Sequence, residues 1–149
     1  MNTSVSILHD LFYTPAIVNG GRQGALSYPM NTNRSIKELL LPMFVQVGTS
    51  DFLRADSLGF WRLGTSRFWL PRFVFQRTPL KKSRIKIAIF AGLHGDEPAS
   101  VLGLIDFVKQ LDENPMLGRD YQLWIYPLCN PSGYMDGTRH SRAGKDLNR

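Results

Sequence analysis

The chain has 149 residues, 43% of them apolar, enough for one ordinary domain with its own core and too apolar for wholesale disorder. Eighteen basic and 12 acidic residues give a net charge of +6, which permits an anionic substrate or a nucleic acid as partner. No run approaches the length of a transmembrane helix and the first ten residues lack the basic-then-apolar pattern of a signal peptide, so no membrane partner is expected and the expected location is cytoplasmic.

Up to about Lys37 the chain shows little periodicity, and Asn19 to Gly24 and Pro29 to Asn33 are turn chemistry, so residues 1–40 read as a loosely structured N-terminal arm. Ser35 to Leu41 either starts a short helix or leads into a strand over residues 41–48. A β-rich region over residues 41–80 follows. Its runs are Asp51 to Leu63, broken near Ser57-Leu58-Gly59, and the aromatic-rich Arg67 to Arg77, where Pro71 suggests an edge or a break. The basic run from Lys81 to Lys86 reads as a solvated loop entering the next strand.

That strand, over residues 84–92, ends in an apolar run that predicts burial on both faces. A helix should begin near Glu97, with Pro98 tolerated in its first turn and Val101, Leu102, Leu104, Ile105, Val108 and Leu111 at helical spacing. Asp112 to Pro115 ends it, and residues 121–128 form another buried strand. Strand, helix, strand implies a right-handed crossover joining a parallel pair. Ligands bind beyond the carboxyl ends of such strands, so the segments after His94 and Asn130 should open onto one edge of the sheet. Cys129 is the only cysteine, which excludes an intrachain disulfide and fits a reducing compartment. No internal repeat is present.

Two constellations carry chemistry. In His94-Gly95-Asp96-Glu97, an imidazole and a carboxylate stand three residues apart after a buried strand, spaced to share one Zn²⁺. Gly95 allows a sharp turn, and Glu97 lies in the first helical turn, where the helix dipole favours its ionised form. The second constellation runs from Asn130 to Arg149, a loop rich in glycine and arginine. Arg149 offers a fork of donors suited to a carboxylate, Asn148 a neutral donor beside it, and another arginine near a metal could stabilise an oxyanion.

Here the sequence resembles the zinc metallocarboxypeptidases of the carboxypeptidase A-like superfamily, including its succinylglutamate desuccinylase/aspartoacylase branch. The matching motifs are His94-Gly95-Asp96-Glu97, Asn130-Pro131-Ser132-Gly133, Arg139 and Asp146-Leu147-Asn148-Arg149, in the family's order, over residues 84–149. Ser132 stands where the family has aspartate. The resemblance implies an α/β fold with a mixed, mostly parallel central sheet flanked by helices. It implies His94 and Glu97 as zinc ligands, Arg139 as oxyanion stabiliser, Asn148 and Arg149 as holders of the substrate carboxylate, and Asp146 as the partner that orients His94. It makes residues 81–149 the first part of a catalytic domain. The family's third ligand, a histidine, and its general-base glutamate lie further downstream than Arg149, so the chain reads as the N-terminal part of a longer enzyme, inactive alone. His140 and His9 are poor substitutes for that ligand.

The expected reaction is attack of zinc-activated water on a peptide bond beside a free C-terminal carboxylate. The alternative is a deacylase acting on an N-acyl amino acid; Gly133 and the long interval from Arg139 to Asp146 favour the peptidase. A basic nucleic-acid module is the reading from another class, because Trp61-Arg62, Arg67-Phe68-Trp69 and Arg72-Phe73 interleave arginine with aromatics. A half-buried strand packs in the same alternation, and a non-catalytic relic that keeps the carboxylate pocket is a third reading. Oligonucleotide titration separates the module from the rest. We expect no binding at low salt; binding that is lost with added salt, and on replacing Arg67 and Arg72, would identify it.

Overall fold

The computed structural model describes residues 34–63, 66–77 and 85–149. The expected arm up to residue 33, with His9 and its turns, and the basic residues 81–84 lie outside the described residues. Helix α1 (Ile36–Thr49) comes first, then strands β1 (Leu53–Leu63), β2 (Ser66–Phe75) and β3 (Ile85–Phe90). Helix α2 (Ala99–Glu113), strand β4 (Tyr121–Tyr126) and the short helix α3 (Pro131–Asp136) complete it.

Residues 41–48 are therefore helix, not strand, and residues 36–40 open that helix. The local reason is the start signal Ser35-Ile36-Lys37-Glu38: the Ser35 hydroxyl caps the helix by accepting the Glu38 N–H at 3.2 Å. The tertiary reason is spacing. Leu39, Leu40, Met43 and Phe44 fall on one face and are buried, a helical pattern that period-two pairing would split between two faces. Phe44 packs on Phe73 of β2 with ring centroids 5.0 Å apart. Ser50 ends the helix and joins three elements: its hydroxyl accepts the N–H groups of Phe52 and Leu53 and donates to the Asp112 carboxylate at the end of α2.

The sheet order is β1-β2-β4-β3, with β1–β2 and β2–β4 antiparallel and β3–β4 parallel. The expected mixed sheet flanked by helices is present, and among the described strands the parallel part of it is the β3–β4 pair. The break foreseen near Ser57 is a register shift between Ser57 and Phe60, where Gly59 takes a φ of 124°. Pro71 pairs opposite Ser57 at that shift, beyond the stretch of β2 that meets β4, so β2 runs through it unbroken. Arg72 forks onto Asp56, which neutralises one of the cations the nucleic-acid reading would need.

Strand β3 departs from expectation. It occupies the edge of the described sheet, and instead of burial on both faces Ile85, Ile87 and Phe90 are exposed. Phe90 stacks on Tyr126 at 4.6 Å and is still 58% exposed. An apolar run reports how well a strand would tolerate burial; its place in the strand order decides whether burial occurs. Helix α2 starts two residues later than expected and buries Val101, Leu104, Ile105, Val108 and Leu111, while Leu102 faces outward.

The core gathers the inner faces of both long helices over Phe73, Phe75, Leu123 and Ile125. Phe73 is fully buried and meets both α1 and, through backbone pairing, Ile125 of β4. Replacing it with alanine should cost about 3–5 kcal/mol of stability in urea unfolding; a loss under about 1 kcal/mol would mean this core does not hold the sheet to α1.

Candidate functional site

The two parallel strands continue side by side past their ends. Ala91 N–H donates to Tyr126 O, Cys129 N–H to Ala91 O and Asn130 N–H to Gly92 O, at 2.9, 3.0 and 2.8 Å. The loop carrying His94 and the segment after Asn130 therefore open onto one edge, as expected from the crossover. Asn130 is fully buried and uses its whole side chain. Its Nδ2 donates to Leu93 O and Arg139 O, each at 3.2 Å, and its Oδ1 accepts Gly133 N–H at 2.9 Å and the Ser132 hydroxyl at 3.3 Å. Ser132 Oγ accepts the Arg142 N–H in turn, so the serine in place of the family's aspartate serves the loop's own framework.

Gly95 is needed for space rather than for the turn expected of it. Its φ is not positive, and Gly92 takes the left-handed φ of 60° instead. A Cβ on Gly95 would lie 1.9 Å from the Gly133 carbonyl carbon and 2.2 Å from Tyr134 N. The His94 loop thus rests directly on the backbone of α3. Arg34, just ahead of α1, donates from Nη1 to Gly95 O at 2.9 Å.

His94, Glu97, Arg139 and Asp146 are brought together. His94 Nδ1 lies 3.3 Å from Glu97 Oε2, and Nε2 lies 3.1 Å from Asp146 Oδ1. Arg139 bridges both carboxylates, Nε to Asp146 Oδ2 at 3.2 Å and Nη1 to Glu97 Oε1 at 3.4 Å. Asp146 also accepts the Asn148 N–H at 3.0 Å. That backbone bond, then His94 and Arg139, hold its carboxyl down at about 2 against the opposing effect of partial burial, so it is ionised throughout the neutral range.

Asn148 and Arg149 are exposed, and Arg149 Nε approaches Asp146 Oδ2 at 3.8 Å. His140 is exposed too. Arg142 forks onto Asp136 with both bonds at 2.6 Å and lies over the Phe68 ring at 5.4 Å, pinning the final loop to α3 and β2. An imidazole nitrogen and a carboxylate oxygen that converge are donors zinc accepts, so this pair fits a metal. Among the described residues no third histidine, cysteine, aspartate or glutamate completes a metal-holding group. Sequence reasoning placed Asn130 at a strand end and in the Asn130-Pro131-Ser132-Gly133 motif without giving it a role, and it missed Arg34, which had no signal.

Residues 83–149 match the succinylglutamate desuccinylase/aspartoacylase catalytic domain. The fold is similar to a candidate metallopeptidase from Shewanella amazonensis, with 26% identity, a TM-score of 0.58, and coverage of 76% of this chain and 39% of that one. It is also similar to a metallo-carboxypeptidase from Burkholderia cenocepacia (22% identity, TM-score 0.60, 75% of this chain and 30% of that one). An aspartoacylase family protein from Mesorhizobium loti is similar at 25% identity and a TM-score of 0.50, over 68% of this chain and 31% of that one. No curated relative matches the chain. The chain spans well under half the length of these structures. The resemblance to the zinc carboxypeptidase superfamily, with its desuccinylase/aspartoacylase branch, is borne out, and at the family level it is a resemblance to hydrolases.

The contact of Gly95 with α3 gives a direct expectation. Gly95→Ala must push two backbones apart, and it should cost at least about 1–3 kcal/mol in urea unfolding. Unchanged stability would show that the loop does not rest on α3.

Proposed function

We propose that this chain carries part of the active site of a zinc-dependent hydrolase that cleaves an amide bond beside a free carboxylate. The observation that carries the reading is the 3.3 Å convergence of His94 Nδ1 and Glu97 Oε2 under the Arg139 guanidinium. His94 and Glu97 would hold the metal. Zinc bound there would supply Lewis acidity and lower the pKa of a water beside it.

The other roles belong to the chain's own residues. Asp146, ionised, can accept a hydrogen bond from His94 Nε2–H, which would fix the tautomer and leave the Nδ1 lone pair towards Glu97. Arg139 sits at the rim of the pair, where its guanidinium can donate to the carbonyl oxygen of the bond to be cut and stabilise the charge that develops on it. Asn148 and Arg149, exposed beside Asp146, offer an amide and guanidinium N–H groups to the substrate's carboxylate.

The first reading of the substrate is a peptide with a free C-terminus, supported by Gly133 in the Asn130-Pro131 motif and by the 26% likeness to the Shewanella amazonensis protein. The second is an N-acyl amino acid, favoured by the match of residues 83–149 to the desuccinylase/aspartoacylase domain. Both place a carboxylate next to the amide and use the same residues.

Competition for zinc with a coloured chelator tests the metal site. His94→Ala and Glu97→Ala should each weaken binding by more than about 10-fold. Zinc retained with full affinity by Glu97→Ala would remove the foundation of the proposal. Side-by-side hydrolysis of a peptide and of an N-acyl aspartate or glutamate by the zinc-loaded longer enzyme of which this chain is read as part then chooses the substrate. Arg139→Ala should lower kcat on the preferred one by about 100-fold or more, with zinc affinity kept.

A further inference from the structure

We propose that Arg34, far from the matched region in sequence, is a positioning residue that sets the spacing of His94 and Glu97. This rests on the reading of those two residues as metal ligands.

Gly95 stands between the two donors, and its carbonyl accepts Arg34 Nη1 at 2.9 Å across 61 residues of sequence. The same guanidinium lies over the Tyr134 ring, 5.6 Å from its centroid. Tyr134 is a buried residue of α3, and its backbone nitrogen is one of the atoms on which Gly95 rests. Arg34 therefore closes a clasp: it grips the loop by a carbonyl and α3 by a ring, on either side of the place where the two backbones touch.

The clasp has a fixed base. Arg34 immediately precedes Ser35, the cap of α1, and α1 is anchored in the core by the fully buried Leu40 and Met43. A guanidinium is suited to this double task, because its planar face covers a ring while its edge donates in the plane. A charge-assisted bond to a partly buried carbonyl is also stronger than a neutral one.

The consequence concerns geometry. The His94–Glu97 loop is held on three sides: at Leu93 O by Asn130, at the His94 ring by Asp146, and at Gly95 O by Arg34. The third is the side-chain hold on the turn between the two donors, a turn that Glu97 N–H also closes onto His94 O at 3.4 Å. Without it the Gly95 carbonyl loses its side-chain partner, and a shift of that peptide changes the separation of His94 Nδ1 from Glu97 Oε2 directly. Donors that must be brought together on binding give weaker affinity than donors already in place.

The test is zinc affinity, by chelator competition, of the unaltered chain and of Arg34→Met, Arg34→Lys and Glu97→Ala, each checked by circular dichroism and thermal melting. Methionine keeps much of the stem and removes the charge; lysine restores a cation that can donate to the carbonyl but has no planar face for the ring. Arg34→Met should bind zinc about 10-fold more weakly, the range seen when supporting partners of metal ligands are removed, and Arg34→Lys should recover part of that loss. If Arg34→Met lowers the melting temperature as well, the comparison of Lys with Met still reads the charge. Equal affinity in those two variants, or wild-type affinity in Arg34→Met while Glu97→Ala loses zinc, would overturn the clasp and leave the metal site standing. Wild-type affinity in Glu97→Ala would overturn the metal site and the clasp with it.

Discussion

The buried amide of Asn130 is the constraint on which the geometry at the sheet edge depends. With one side chain it joins three stretches: the end of the His94 loop at Leu93, the first turn of α3, and the backbone at Arg139. Each of its hydrogen bonds satisfies a group with little access to water, and a polar group left unsatisfied in such a place costs about 1–3 kcal/mol. An aspartate in its place would turn an anion towards the carbonyls of Leu93 and Arg139. A leucine would leave those carbonyls and the Gly133 N–H without partners. Asparagine is the side chain of this size that offers two donors on one arm and an acceptor on the other.

Around that hub the charges are arranged so that each carboxylate is shared. Asp146 takes the His94 imidazole on one oxygen and Arg139 on the other, and Glu97 meets His94 and Arg139 in the same way. The two carboxylates differ in environment. Asp146 is mostly enclosed, at 15% side-chain exposure, and also accepts a backbone N–H, which suits a permanent anion that orients its neighbour. Glu97 is 60% exposed and bound only through its side-chain partners, so it is the one free to exchange Arg139 for another cation.

What the sequence makes legible follows the range of the forces involved. The crossover β3–α2–β4 rests on local periodicity, and its elements lie where the spacing of Val101, Leu104, Ile105, Val108 and Leu111 puts them. The assembly of His94, Glu97, Arg139 and Asp146 is legible as well, because motif order along two adjacent strand ends translates into proximity. The helix over residues 36–49 is the failure of the same method: a continuous apolar run serves a strand or a buried helix equally, and the deciding signal is the cap, Ser35 with Glu38. The place of β3 at the edge of the described sheet is not written in its own apolar run, since strand order is set by partners distant in sequence. Arg34 belongs to that category too, because a contact across 61 residues leaves no trace in local pattern.

The division between chemistry and support is physical rather than sequential. The residues that converge on the candidate site lie between positions 94 and 149, yet their placement depends on elements before residue 76. Phe44 of α1 packs on Phe73 of β2; Phe73 pairs with Ile125 of β4; Ile125 pairs with Ile89 of β3, one residue from the strand's end. Packed and hydrogen-bonded elements of this kind resist small displacements, because a core at native density has no slack to absorb them. The loops beyond β3 and β4 are then positioned by a frame that reaches back to α1, and Arg34 extends that same helix's anchorage to the Gly95 peptide. A site assembled from loops gains its definition from such a frame. Here the antiparallel half of the sheet, which contributes no converging side chain, supplies it.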